Sequence, residues 1–494
     1  MTVSAAEPAS DGGLGRRALR GGFVVMGGQL VRMVVQVLAV VILARLLDPR
    51  DFGLLAMVLS VVAVAEIFRD MGLSTAAIQA KVLTPEQRDN LFWLNSCIGS
   101  GLALLAFVAA PLVADVFHEP VLVPMTKVLA LMFLFNGMAT QYRADLTRRM
   151  LFGRLVVADT AAPVVGLLVA TALAVAGAGH WALVAQLLTQ YLTVLVLVVV
   201  GAGWLPGRPR RDVPMGDFLK FGWTIVGSQL IGYVANNTDS VIIGSRLGAG
   251  PLGLYNRAFQ LVMSPLGQLR GSTGTVGVSL LARVQDDPGR SQRYVERGQL
   301  ALGCTVVAGL GLIIGGAEPI VDVMLGPKWD VATILSLLAL AGAFQTLSLV
   351  GYWVYVSQGL TRDLMHYSVV SAVIKVLCVV AGSRWGVVGV AVGYAIAPAL
   401  SWPISFWWLS RHANVRVAPL YSGAGRIALI TSVTAMGAWA GASISDDSVP
   451  AVLSLLASIG CGLSGYALLV ACVRPIRADA MMVFAATRTA MRRR

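Results

Sequence analysis

Residues Phe221–Gln260 read FGWTIVGSQLIGYVANNTDSVIIGSRLGAGPLGLYNRAFQ, an apolar run with a polar seam, a tight Gly/Pro turn and the start of a second apolar run. The stretch has an echo near the start of the chain, at numbers lower by two hundred. Gly22 answers Gly222, Gly27 answers Gly227, and Gln29-Leu30 answers Gln229-Leu230. Val41-Ile42, Leu47 and Gly53-Leu54 answer Val241-Ile242, Leu247 and Gly253-Leu254, all without a gap. A repeat of this length and spacing implies two similar halves.

Composition decides the setting of those halves. The chain has 494 residues, 57% hydrophobic and only 13% charged, with a mean hydropathy of +0.76. Soluble domains carry about a quarter of their residues as charges, so the class is an integral membrane protein. The five cysteines lie in or beside apolar runs with no paired spacing and read as small core residues. The net charge of +13 lies mostly in alternate loops, the pattern of membrane topology and not of nucleic-acid binding.

A span needs about 20 apolar residues. By that ruler the sequence predicts an all-α polytopic membrane protein of about fourteen transmembrane helices. Residues 1–21 are expected to form a disordered cytoplasmic tail and 22–203 a first six-helix lobe. A cytoplasmic linker over 204–217 leads to a second six-helix lobe at 218–410. Helices 13 and 14 follow within 423–473, and 474–494 is a basic cytoplasmic tail, placed against anionic headgroups or simply solvated. Lys and Arg concentrate in the loops of one side, which puts both termini inside and requires an even count. Further echoes, such as Leu146-Thr147-Arg148 with Leu360-Thr361-Arg362, map spans 1–6 onto 7–12 in order. Six is even, so the repeats are parallel, about an axis along the membrane normal.

Polar side chains at membrane depth are few, and such groups face a bundle interior or a watery cavity. On span 1, Gln29, Arg32 and Gln36 share one helical stripe. On span 7, Gln229, Tyr233 and Asn236 form the matching stripe with Asp239 nearby. Span 8 contributes Arg257 and Gln260, span 10 Gln345, and span 11 Lys375. These residues are the candidate cargo-binding and translocation set. Inter-helix hydrogen bonding is the competing reading for spans 10 and 11, and snorkelling for Arg257. Asp239 could instead pair locally with Arg246 or Arg257. Gly22, Gly27 and Gly28, with Gly222 and Gly227, are candidate hinges at matching points of the two lobes. Glu66 and Asp159 are two further intramembrane acids. No catalytic, metal or cofactor motif is present, and Asp286-Asp287 reads as a solvated turn before Pro288.

The segments ARLLDPRDFGLL (Ala44–Leu55), DSVIIGSRLGAGPLG (Asp239–Gly253) and LYNRAFQLVMSPLGQL (Leu254–Leu269) resemble the Wzx-type polysaccharide flippases. These share a superfamily with the multidrug and toxin extruders and the MurJ-like lipid II flippases. The likeness runs over nearly the whole chain and is closest to the colanic-acid and lipopolysaccharide exporter branch. It implies two lobes that open alternately to each side of a bacterial plasma membrane. The implied cargo is an undecaprenyl-diphosphate-linked oligosaccharide, and the implied partners are a polysaccharide polymerase and glycosyltransferases. Arginine suits such a cargo because guanidinium binds phosphate in a bidentate way. The rivals are a cation-coupled drug antiporter, a lipid II flippase and, on Asp48 and Asp51, a membrane glycosyltransferase or ligase.

Overall fold

Long apolar runs joined by short links leave the backbone one way to pair its amides in lipid, which is within helices. The computed structural model of the protein describes residues 11–70, 73–79, 83–210, 237–284, 287–413, 415–444 and 449–492, and no strand occurs among them. The chain divides into two units, Met1–Asn236 and Asn237–Arg494.

The first unit holds α1 (Asp11–Leu46), α2 (Pro49–Asp70), α3 (Leu73–Gln79), α4 (Pro85–Phe117), α5 (Leu122–Leu129), α6 (Leu131–Arg148), α7 (Phe152–Val175) and α8 (His180–Ala202). Local chemistry sets these bounds. Thr84 and Gln87 form a reciprocal capping box with Pro85 in the first turn of α4, and His118 closes that helix in the left-handed region. Helix α7 lies along both α1 and α8, while α6 lies along α4 and α8. A core of Phe92, Tyr142, Leu146, Ala158 and Val198 ties α4, α6, α7 and α8 together. The start of the expected linker is pinned to α4, since Trp93 Nε1 donates to the Gly207 carbonyl at 2.7 Å and Asn90 exchanges hydrogen bonds with the Arg210 backbone.

The second unit opens with α9 (residues 237–247). It continues through α10 (Ala249–Ala282), α11 (Pro288–Leu302), α12 (Ala308–Gly315), α13 (Ala317–Met324), α14 (Ala332–Ser357), α15 (Thr361–Gly382) and α16 (Gly386–His412). Then come α17 (Ala418–Ser443), α18 (Ala451–Cys472) and α19 (Arg474–Arg492). Helix α14 packs on α10 and α16, α15 on α16, and α17 on α18 and α12. The α6–α8 and α7–α8 pairings of the first unit thus recur as α14–α16 and α15–α16. Asp287 caps α11 ahead of Pro288, as the Asp-Pro turn predicts. Between α11 and α12, Gly303–Val307 forms a π turn. The Tyr466 hydroxyl of α18 donates to the Cys304 carbonyl inside that turn at 3.3 Å.

Among the described residues, nine stretches are long and apolar enough to cross a membrane. One of them, Thr361–His412, contains both α15 and α16, folded back on each other at the short turn Ser383–Trp385. Helices α2, α10 and α17 are equally long but richer in charge, glycine or hydroxyls. The protein is a multi-pass, all-helical membrane protein.

Two segments read from sequence as tails contain helix. Helix α1 begins at Asp11, inside the segment 1–21. Helix α19 covers most of 474–494 and docks on the bundle through the fully buried Ile476. Asp479 of α19 also faces Arg426 of α17, with Oδ2 and Nε 3.1 Å apart.

Candidate functional site

In the first unit, the stripe on α1 is intact. Gln29, Arg32 and Gln36 are all exposed, among exposed apolar neighbours that include Leu30 and Val34. Helix α1 runs unbroken through Gly27 and Gly28. The two glycines differ in surroundings: a Cβ on Gly27 would meet nothing, while one on Gly28 would come within 2.3 Å of Val156 Cγ1 on α7. Gly28 is therefore a close-approach point between α1 and α7.

The intramembrane acids of this unit have partners. Asp159 on α7 takes a two-pronged bond from Arg143 on α6, Nη1 to Oδ1 at 2.7 Å and Nη2 to Oδ2 at 3.1 Å. The fork geometry of guanidinium and carboxylate favours this arrangement. Glu66 on α2 lies 3.4 Å from the Asn136 amide on α6. Positive-side counting puts Arg143 in a loop; it belongs to α6 and neutralises Asp159.

The second unit holds the denser polar cluster. Asp239 on α9 is 2% exposed. Its Oδ2 accepts a 2.6 Å hydrogen bond from the Tyr255 hydroxyl on α10, and its Oδ1 has no hydrogen-bond partner among the described residues. Tyr255 and Phe259 lie against Tyr394 of α16 with ring centroids 6.5 and 5.8 Å apart. The Lys375 ammonium of α15 sits 4.5 Å from the centre of the same Tyr394 ring, a cation–π contact. Four helices thus converge on one buried carboxylate and one cation. Arg246, a candidate partner of Asp239, donates to the Ser383 hydroxyl at 3.1 Å.

Further along α10, Arg257 is 8% exposed and donates to Gln260 Oε1 at 2.9 Å, with Gln260 in turn 3.4 Å from Asn256. Gln345 of α14 accepts a 2.5 Å hydrogen bond from Arg270. Counting charges assigns Arg270 to a loop, yet it lies within α10. Its helical register was the available signal, since Arg270 is about four turns beyond Asn256 on the same face. Arg270, Tyr255 and Tyr394 are the residues the sequence reading missed. Gln229, Tyr233, Asn236, Gly222 and Gly227 lie outside the described residues.

Chemically, α10 presents two guanidiniums held by neutral amides, beside phenols and carboxamides. That set can bind an anion and donate to hydroxyls. No group of three or more His, Cys, Asp or Glu side chains gathers to hold a metal ion among the described residues.

A family model described as "Polysaccharide biosynthesis protein" matches residues 42–334, more than half of the chain. The chain belongs to that family. It is 24% identical over 393 residues to the lipopolysaccharide biosynthesis protein WzxC of Escherichia coli (strain K12), covering 78% of this chain and 77% of that protein. It is 27% identical over 416 residues to the teichuronic acid biosynthesis protein TuaB of Bacillus subtilis (strain 168), covering 81% and 84%. Among solved structures, the inward closed conformation of the lipid II flippase MurJ superposes with a TM-score of 0.69 at 12% identity, covering 90% of this chain and 97% of that one. An inward-facing multidrug resistance MATE transporter of the MOP superfamily gives 0.57 at 15% identity, covering 81% and 98%. This member of the polysaccharide biosynthesis family therefore shares the fold of those two transporters.

Proposed function

We propose that this family member is a flippase that moves a lipid-linked oligosaccharide across the membrane for polysaccharide export. One observation carries the reading: α10, a helix long enough to span a bilayer, holds Arg257 and Arg270 against amide partners. Charged groups at that depth are costly and are kept where function needs them. Because Gln345 carries no charge, the Arg270 guanidinium it holds keeps its attraction for a diphosphate. Family membership and the MurJ-like fold support the same reading.

In finer terms, the cargo is an undecaprenyl-diphosphate-linked oligosaccharide carried from the inner to the outer leaflet of a bacterial plasma membrane. The protein crosses fourteen times with both termini in the cytoplasm. That count takes α15 and α16 separately and adds α2, α10, α17 and the apolar run read from sequence ahead of α9 to the remaining apolar stretches. Arg32, Gln29 and Gln36 on α1 contribute to the cargo path with Asp239, Arg257, Gln260, Gln345 and Lys375. Gln229, Tyr233 and Asn236 complete it, and the glycines of the two repeats, Gly22, Gly27, Gly28, Gly222 and Gly227, are its hinges. A polymerase and glycosyltransferases act on the same glycan.

The test is export in a host that depends on this protein, with Arg32→Ala, Arg257→Ala and Arg270→Ala assayed for surface glycan and protein level. Each variant is expected to lower glycan at least about tenfold, the loss of one charge-assisted contact. Normal glycan at normal protein level would remove these residues from the mechanism. Asp239, buried with one oxygen unpartnered among the described residues, favours a second reading as a cation-coupled drug antiporter. Drug efflux that collapses with a proton or sodium gradient while glycan export is untouched would select it.

A further inference from the structure

A polar cavity lies well away in sequence from the α10 guanidiniums, at the ends of helices α11, α14 and α16. It has a volume of about 360 Å³ and is lined by Pro288, Ser291, Gln358, Ser410, Arg411 and His412. That size falls within the range of small-ligand sites, about 300–1,000 Å³. We propose that this cavity binds the phosphate group of a membrane lipid headgroup or of a free phosphate.

Three features point to an anion. First, Arg411 makes no ion pair with a carboxylate among the described residues; its Cζ lies 5.3 Å from the centre of the Trp407 ring, which holds the guanidinium without neutralising it. Second, Ser291 is only 7% exposed, lines the cavity, and its hydroxyl has no hydrogen-bond partner among the described residues. The hydroxyl therefore opens on the cavity with its donor and acceptor capacity unused by the protein, ready to serve a bound oxygen. Third, Pro288 and Ser291 bring the start of α11, a helix of 15 residues, to the cavity wall, and the partial positive charge at that end favours an anion; its Arg290 and Ser291 amides are taken by Asp287, so the side chains supply the donors.

The opposing charges among the described residues are already engaged. Asp287 uses Oδ1 to cap α11 through the Arg290 amide at 2.9 Å. Asp363 accepts from Trp408 Nε1 at 3.0 Å and lies 3.9 Å from His412 Nδ1. His412 is itself positioned by the Trp408 carbonyl, 3.1 Å from Nδ1, so its second ring nitrogen remains available. A merely solvated basic helix end would account for Arg411 and His412 alone. It would not account for the cavity or for the unpartnered Ser291 hydroxyl that lines it.

The aromatic surroundings give the depth. Trp407 is 54% exposed and Tyr421 37%, the half-wet placement typical of side chains at the membrane–water interface. Basic pockets between helices at that level suit lipid headgroups.

The experiment uses purified full-length protein in detergent, titrated calorimetrically with inorganic phosphate and separately with a short-chain phosphatidylglycerol. Wild type is expected to bind at least one probe. Arg411→Ala combined with His412→Ala should weaken it at least about tenfold, and Ser291→Ala, which suits a helix interior, several-fold. Arg384→Ala, a surface cation at the turn between α15 and α16, should bind as wild type does. Binding of both probes with mutual displacement supports a site for phosphate itself, and binding of the lipid alone supports a headgroup site. Failure of both probes to bind, wild-type affinity in the Arg411/His412 variant and in Ser291→Ala, or an equal loss in Arg384→Ala would overturn the proposal.

Discussion

Tyr255 and Asp239 meet across the turn that joins α9 to α10, the phenol donating a 2.6 Å hydrogen bond to a carboxylate that is 2% exposed. The geometry has an energetic consequence. A buried carboxylate with a single donor depends heavily on that donor. Tyr255→Phe should destabilise the protein in detergent by roughly 1.5–3 kcal/mol, the range for a hydrogen bond to a charged group. Adding Asp239→Asn should cost less than the sum of the two single changes, since the shared interaction is already gone. Strict additivity in thermal unfolding would show that the pair does not interact in the folded state.

The Arg143–Asp159 pair leads to the opposite expectation. Its side chains are 37% and 31% exposed, and replacing both partners of an ion pair removes the attraction and the desolvation cost together, which is often close to neutral. Arg143→Gln with Asp159→Asn should therefore unfold close to wild type. Asp159→Asn alone should do worse than the double change, because it leaves a cation uncompensated at membrane depth. Equal stability of the single and double variants would count against the pairing.

Trp353 on α14 is wedged between two glycines on neighbouring helices. A Cβ on Gly277 of α10 would lie 2.4 Å from the indole ring, and one on Gly298 of α11 would lie 2.7 Å away. The ring is rigid and 6% exposed, so it cannot swing aside. Gly277→Ala should cost about 1–3 kcal/mol by overpacking. Reducing the ring with Trp353→Phe should make the same glycine change less harmful. If Gly277→Ala is equally costly on both backgrounds, the contact is not what limits that position.

Asp479 makes the docking of α19 sensitive to pH. Burial, the largest influence, pushes its carboxyl above the usual carboxylate range, and Arg426 only partly draws it back. The docked state therefore holds the proton more tightly than the released state does. Stability from that preference is full below the ordinary carboxylate value and is lost as pH rises through the docked value. Amide exchange at Arg477–Asp479, corrected for its intrinsic pH dependence, should slow on acidification through that window. Asp479→Asn should flatten the slope, and a persisting slope would assign the effect to another group.

Much of this architecture is legible in the sequence because two signals are local. Apolar run length places α10 at 252–282 against the observed Ala249–Ala282, and Asp287-Pro288 announces the start of α11. The site is less legible, because a positive-side count treats each arginine as a loop marker. Here α10 runs unbroken for 34 residues, so Arg270 lies twelve residues inside the helix end although counting marks it as a loop cation. The ring of Tyr394 between Lys375 and Tyr255 joins α15, α16 and α10. No periodicity within one helix encodes a contact among three.

The π turn at Gly303–Val307 bears on how this chain tolerates length change. Such a turn is an α-helix that has absorbed one surplus residue, here with Gly303 set close against Ile427 and the Cys304 carbonyl taken up by Tyr466. Removing one residue between 303 and 307 would let the backbone relax to the ordinary helix and rotate Pro288–Leu302 by about 100° relative to α12. That would turn Ser291 away from its cavity without shortening any loop. A one-codon deletion here is thus a change of helical phase, and it would be felt a full helix length away from the cut.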